Sequence, residues 1–295
     1  DKIKKNLFFF DNLDSNLYLE FKKFKNLKNS CFIIISKSGN TLETLVNLNL
    51  IFSKSLLKNK LIIISEIKNS SLMNIANKFN AEIIEHKDFI GGRYSVLSEV
   101  GMFPAALMNL NINKFKNLRK LIQNKHFISS LIKSVSSIYT LNQQGIKNSV
   151  ILNYDSKLNG LGLWYQQLVA ESLGKKGKGV TPIVSTCPKD HHSLLQLYLE
   201  GPRDKFFTFF CPLVNKGRKV DSIVHAQCEA TKNIFLRKNI PYRHFTFKRN
   251  DENELGSIFT FFVLETILLS RLMKVNPYDQ PAVEQVKIET KKFLR

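Results

Sequence analysis

Residues 31–65, CFIIISKSGNTLETLVNLNLIFSKSLLKNKLIIIS, decide the fold. Cys31 to Ser36 is a short, continuously apolar run, the pattern of a strand buried on both faces. A polar turn, SKSGNT, follows, and then a helical pattern from Thr41 to about Leu57. Leu61 to Ser65 is a second buried strand. Strands that alternate with helices in this way argue for an α/β protein built on a parallel sheet.

The alternation continues outward. Ser71–Phe79 reads as a helix and Ala81–Glu85 as a short strand; HKDFIGGRYSVLSEVG then leads into an apolar helix to about Leu110. Residues 113–147 are more polar and helical and read as a linker after a first domain, 1–112. A second α/β set begins with SVILNY at Ser149. NGLGLWYQQLVAESLG, Asn159 to Gly174, is a helix with an apolar side at Leu161, Trp164, Tyr165, Leu168 and Leu173. Gly160 and Gly162 loosen its start and Gly174 can end it. Strands TPIVST, FFTFFC and Arg243–Phe247 alternate with helices over Asp190–Glu200, Asp221–Lys238 and Asn253–Lys274. This second domain covers 148–275. In the last segment, 276–295, Asp279 can cap a helix that has Pro281 in its first turn.

Composition narrows the function. The net charge of +20 first suggests nucleic acid. The basic residues are scattered, however, with no run of five and only Lys175, Lys176 and Lys178 in a dense cluster, so no nucleic-acid partner is expected. The charge can still steer an anionic small substrate. Four cysteines without CxxC spacing and six histidines make no zinc pattern, and buried reduced thiols suit the cytoplasm. The longest apolar stretch, Ile258–Leu269, is too short for a membrane span and contains Glu265. The first residues have too short an apolar core for a secretory signal.

Five stretches can carry chemistry. In SKSGNT the hydroxyls of Ser36, Ser38 and Thr41, with Lys37, gather at a strand end and helix start, where the helix dipole favours an anion. Without GxxxxGK it is no nucleotide P-loop, and locally it reads equally as a capped polar turn. Arg93, after Gly91 and Gly92, can brace an oxyanion or pair structurally with an acid. Gln167 and Glu171 are four residues apart and share a helix face. A carboxylate there is either a solvated charge or a group held for proton transfer, and burial in an apolar helix would favour its neutral form. His191 and His192 open the predicted helix after TPIVST and suit proton transfer, or simply start a helix; adjacent in sequence, they make a poor metal pair. In DQPAVEQVK, Gln280 and Lys287 share one side of the last helix, and Lys287 can reach a substrate oxygen or stay solvated.

Taken together, SKSGNTLET, GGRYSVLSEVG, GLWYQQLVAESLGK with GVTP, DHHSLLQL with the following GP, and NPYDQPAVEQVK resemble the glucose-6-phosphate isomerase family, in order, from residue 36 to residue 287. The resemblance implies two sugar-isomerase (SIS) domains, each a five-stranded parallel sheet flanked by helices. It implies interconversion of glucose 6-phosphate and fructose 6-phosphate through a cis-enediol, in glycolysis and gluconeogenesis, with no cofactor and no metal. By position in the motifs, Ser36, Lys37, Ser38 and Thr41 match the phosphate binders and Arg93 the residue that stabilises the enediolate. Glu171 matches the general base and Gln167 a substrate contact. His192, directly before Ser193, matches the ring-opening histidine better than His191 does. Lys287 matches the lysine near the ring oxygen, with Gln280 close to the substrate. In the family that histidine reaches the other subunit's site, which implies a homodimer. Family members also carry a glycine-rich GIGGS-type segment upstream. Here the similarity picks up at FFFDNLDS, which resembles the strand and turn that follow it, so the first domain is expected to lack its N-terminal part. Two other functions fit the pattern: a non-catalytic SIS-domain protein that binds a sugar phosphate, and a bifunctional isomerase that also accepts mannose 6-phosphate.

Overall fold

The structure is a computed structural model that describes residues 7–23, 30–51, 60–212 and 219–293. The chain divides into two compact units, Asp1–Ile112 and Asn113–Arg295.

In the first unit, β1 (Cys31–Ile35), β2 (Lys60–Ser65) and β3 (Glu82–Glu85) form a parallel sheet in that order. The isoleucine runs explain it, because β2 is the middle strand and both its faces are buried. Leu61 and Ile63 pack with Phe32 and Ile34 under α2 (Leu42–Ile51) and α3 (Ser71–Phe79), whose Leu48, Leu72 and Ala76 close that face. β3 is a short edge strand with exposed glutamates at both ends, which discourages further pairing. Ser70 caps α3 by accepting from the Met73 N–H, and Asn80 ends it in the left-handed region, φ 50°.

Two expectations change here, and a third falls partly outside the described residues. The helix pattern to Leu57 runs beyond α2 into residues 52–57, which lie outside the described residues. Phe8–Asn12 is not a strand: Phe8 and Phe9 are exposed, and Asp14 instead caps α1 (Ser15–Lys22) by accepting from the Asn16 N–H at 2.8 Å. The apolar stretch after Gly92 divides into a 3₁₀ segment, Gly92–Leu97, and α4 (Glu99–Leu107), where Ser98 caps the second part.

The second unit begins with α5 (Ile112–Phe115), α6 (Leu118–Gln123) and α7 (Lys125–Gln143). Its sheet holds β4 (Asn148–Asn153), β5 (Thr181–Thr186), β6 (Lys205–Cys211) and β7 (Tyr242–Thr246), all parallel, in the order β5-β4-β6-β7. Among the described residues the two sheets therefore have three and four strands rather than five each. Connections leave β4 and β6 in opposite directions, so the switch point lies between their C-terminal ends.

Strand periodicity sorts this core into two faces. Val150, Leu152, Phe207 and Phe209 face α9 (Leu195–Glu200) and α10 (Lys219–Arg237), meeting Tyr198 and Phe235. On the other face Phe210 meets Phe262 of α11 (Glu252–Leu272), and α7 and α8 (Asn159–Leu173) pack against α11. α7, inside the stretch read as a linker, buries Leu131, Val135 and Ile138. α11 is long and apolar enough to cross a membrane by length and composition, yet half of that window is buried within the fold. Its Glu265 is 1% exposed and ion-paired with Arg243 of β7, as expected of a core helix. Of the cysteines, Cys187, Cys211 and Cys228 are buried thiols, whereas Cys31, on an edge strand, is exposed.

Candidate active site

Ser36–Thr41 lies between β1 and α2. The Ser36 and Thr41 hydroxyls are 2.7 Å apart, and Ser38 Oγ accepts from the Asn40 N–H at 3.2 Å. Gly39 has φ 68°, and a Cβ there would sit 2.3 Å from Ser70 Oγ, so both its conformation and its neighbour require glycine. The turn is clamped to the next strand-to-helix connection: Leu72 N–H donates to the Gly39 carbonyl at 3.0 Å, Ser71 N–H to Asn40 Oδ1 at 2.9 Å, and Glu66 N–H to the Lys37 carbonyl at 3.1 Å. The Lys37 ammonium donates to the Asp88 carbonyl at 2.6 Å and lies 3.6 Å from the Glu66 carboxylate. Hydroxyls and a helix start thus meet in a turn braced by its neighbours, a setting where the helix dipole favours an anion.

Arg93 stands in the 3₁₀ segment, 3% exposed, with its guanidinium 5.3 Å from the centre of the Tyr94 ring. The turn before it is held by His86, which the sequence reading did not single out. His86 is buried, its Nε2–H donates to the Ile90 carbonyl at 3.0 Å, and its Nδ1 faces the Glu99 carboxylate. The available signal was a lone histidine just past a strand end, with its partner thirteen residues on.

In α8 the buried face comprises Leu161, Tyr165, Leu168, Val169, Ser172 and Leu173. Gly162 does more than loosen the helix start: a Cβ there would be 3.0 Å from Val184 Cγ1, so glycine lets α8 approach β5 closely. Gln167 is exposed and donates from Nε2 to Glu171 Oε1 at 3.0 Å. Glu171 is half-buried rather than enclosed, because it borders the exposed line of Leu163, Gln167 and Ala170 and not the Tyr165–Leu168 face. The amide orients a carboxylate that remains reachable.

The histidines do not open a helix. His191 ends a 3₁₀ turn, Lys189–His191, and His192 follows it, ahead of α9. His191 is half-buried, with Nε2 at 2.6 Å from the Tyr154 hydroxyl; burial, and then the neighbouring His192, lower its pKa. His192 is exposed.

Lys287 is exposed on α12 (Pro281–Phe293), and Gln280 is half-buried just before it. Lys175 holds the approach to α12. It meets Asp279 at 3.0 Å, which draws that carboxyl below its usual range, and donates to the Asn276 carbonyl. Lys178 donates to the Met273 carbonyl at 2.9 Å.

The second unit therefore separates its candidates. α8 starts at the C-terminal edge of the sheet and runs back, so Glu171 lies about 18 Å along its axis from Asn159. That is the edge of Lys175 and the start of α12. His192 follows β5 at the opposite edge. Strand β5, running forward again, spans roughly 17 Å between the two edges. Among the described residues, no group of three or more His, Cys, Asp or Glu side chains is placed to hold a metal ion.

The family model for phosphoglucose isomerase matches residues 1–240. The chain belongs to that family. The glucose-6-phosphate isomerase of Methanocaldococcus jannaschii is 33% identical to it, over 96% of this chain and 76% of that protein. Two solved structures share the fold. A hypothetical protein from Thermus thermophilus has a TM-score of 0.83 at 23% identity, covering 97% of this chain and 76% of its own. The glucose-6-phosphate isomerase from Chlamydia trachomatis has a TM-score of 0.82 at 18% identity, covering 99% and 64%. The two parallel sheets flanked by helices are an α/β architecture shared with both of these structures. The candidates up to His192 lie within the matched stretch of the phosphoglucose isomerase model, whereas Gln280 and Lys287 lie beyond it.

Proposed function

We propose that the protein interconverts glucose 6-phosphate and fructose 6-phosphate through a cis-enediol. The observation that carries this reading is the Gln167–Glu171 pair, an oriented and accessible carboxylate on a helix of a phosphoglucose isomerase family member. Ser36, Lys37, Ser38 and Thr41 bind the phosphate over the start of α2, which supplies remote binding energy to position the sugar. His192 and Lys287 open the ring, exchanging protons with the anomeric hydroxyl and the ring oxygen, while Gln280 contacts the substrate. Glu171 removes the proton next to the carbonyl and returns it to the adjacent carbon. Arg93 faces the negative charge of the enediolate.

The protein acts as a homodimer in this proposal. Glu171 and His192 lie at opposite edges of one sheet, so a site that needs both is completed by the exposed His192 of a second copy. The domains are a first SIS domain, 1–112, a helical segment, 113–147, a second SIS domain, 148–275, and the helix-bearing segment 276–295. The free thiols fit a cytoplasmic setting.

The test is conversion of fructose 6-phosphate in EDTA, coupled to oxidation of the glucose 6-phosphate formed. Relative to an active parent chain, Glu171→Gln is expected to lose roughly 10²- to 10⁴-fold in rate while still binding a phosphate ligand. A folded wild-type chain that binds sugar phosphate without turnover would replace this reading with the non-catalytic one. Equal loss of binding and turnover in the variant would remove Glu171 as the base.

A further inference from the structure

Tyr154 follows β4 at the switch point of the second sheet and is 4% exposed. Its ring stacks on Phe209 at 6.1 Å and meets His191 edge-on at 5.5 Å. Its hydroxyl meets Thr231 Oγ1 on α10 at 3.0 Å and His191 Nε2 at 2.6 Å, and the buried Cys187 thiol is a further neighbour within hydrogen-bonding reach.

The direction of the protons follows from the third bond in the chain. Thr231 donates its own hydroxyl proton to the Gln227 carbonyl at 2.8 Å, one turn back on α10. Only lone pairs of Thr231 then face Tyr154, so Tyr154 donates to Thr231. The Tyr154 oxygen in turn accepts from His191, which must carry its proton on Nε2. The chain runs from His191 through Tyr154 and Thr231 to a helix carbonyl, and each bond polarises the next.

The turn is also held by Asp190. Its carboxylate accepts from the Thr186 N–H at 2.7 Å and from the Ser193 hydroxyl at 3.1 Å. The residues on both sides of His192 are thus fixed, while His192 itself projects into solvent. A turn of three residues has few bonds of its own and depends on such anchors.

We propose that Tyr154, acting through His191, is a positioning residue for His192 in ring opening. The hydroxyl fixes the His191 imidazole, and the fixed imidazole sets the backbone from which His192 reaches the sugar. Tyr154 is buried and touches no substrate. This role rests on the isomerase reading and on His192 as the ring-opening group. It matters because proton transfer to a sugar oxygen tolerates little displacement, and about 1 Å can cost about 10²-fold.

The test uses Tyr154→Phe, which keeps the ring and removes only the hydroxyl, together with His191→Gln and His191→Leu. Ring opening is read as enzyme-catalysed exchange between the anomers of glucose 6-phosphate, by NMR exchange spectroscopy. Proton abstraction is read separately, as exchange of the C2 hydrogen of a tetrose 4-phosphate into D₂O, because that aldehyde is too short to close a ring. Tyr154→Phe is expected to slow anomer exchange about tenfold or more, with KM changed less than about twofold and C2 exchange unchanged. His191→Gln, whose amide N–H can replace the imidazole donor, retains anomer exchange. His191→Leu loses it as Tyr154→Phe does, and the double variant loses no more. Undiminished anomer exchange in Tyr154→Phe, or both rates falling together with the melting temperature, overturns the positioning role. If the wild-type chain is inactive the isomerase reading itself fails; an active wild type with an unaffected Tyr154→Phe removes only this inference.

Discussion

Replacing Glu265 with Ala tests what holds the second unit together. Glu265 is 1% exposed in the middle of α11, and its carboxylate meets Arg243 Nη2 at 3.1 Å and Ser134 Oγ at 2.6 Å. Arg243 also donates from Nε to Thr208 Oγ1 at 2.9 Å, and its guanidinium lies 5.3 and 5.6 Å from the ring centres of Phe245 and Phe262. One ion pair thus joins α7, β6, β7 and α11. Burial disfavours the Arg243 charge, but Glu265 and Tyr165 outweigh it and raise the arginine's pKa. Removing the carboxylate leaves that cation without its counter-charge, a change that typically costs about 3–5 kcal/mol. The Arg243 side chain keeps 19% of its exposure, so some water relieves it and the expected cost is nearer about 3 kcal/mol. By contrast Glu82, in the exposed Lys60 pair at 3.1 Å, should cost under about 1 kcal/mol when replaced by Ala.

The assay is urea unfolding followed by Trp164, the single tryptophan, which packs edge-on against Phe259 of α11 at 4.8 Å and so reports on the second unit. The midpoint should fall with an unchanged slope. At about 2–4 °C per kcal/mol for a unit of this size, the melting temperature should drop by roughly 6–12 °C. Arg243→Met with Glu265→Leu should recover most of the loss, because an apolar pair removes both the charge and its desolvation. A loss below about 1 kcal/mol in Glu265→Ala, or a double variant no better than the single, refutes the argument.

Gly39→Ala forces a side chain into φ 68° and places its Cβ 2.3 Å from Ser70 Oγ. The left-handed strain alone costs about 1–2 kcal/mol, so KM for sugar phosphate should rise about tenfold with a much smaller change in kcat; a reversed split would detach this turn from phosphate binding. Burial, and then His192, keep His191 neutral in the fold, so below about 6.5 the unfolded chain takes up a proton that the folded chain does not. Stability should therefore be fully present above that pH and decline as pH falls through it toward the lowered folded value. The decline should shrink in His191→Gln. The comparison isolates His191 from Tyr154, His192 and Asp190, which surround it, and identical pH profiles for the two proteins would contradict it.

The strands were readable because their burial is continuous. Ile62–Ile64 are apolar throughout and Phe206–Phe210 are interrupted only by the buried Thr208, so any sheet that covers both sides accepts them. The turn at Ser36–Thr41 was readable as a tight strand-to-helix junction because its glycine and three hydroxyls limit what the backbone can do there. Its clamps were not readable, since Ser70 and Leu72 reach Gly39 only when β2 lies beside β1. His86 was missed for the same reason, because Ile90 and Glu99 become its partners only through a turn in the chain.

What the sequence by itself determined is local: which runs are strands, which faces of helices are apolar, and which polar turns carry hydroxyls, an arginine or a histidine. Those properties follow from side-chain volume, periodicity and backbone freedom over a few residues. Only the tertiary structure decided that Glu171 borders solvent instead of the core, since that depends on which side of α8 meets β5 and α11. It also decided that Glu171 and His192 stand at opposite edges of one sheet, and that a buried tyrosine hydroxyl holds the histidine beside His192. These are relations between elements distant along the chain, and spacing in sequence carries no information about them until the strands are ordered.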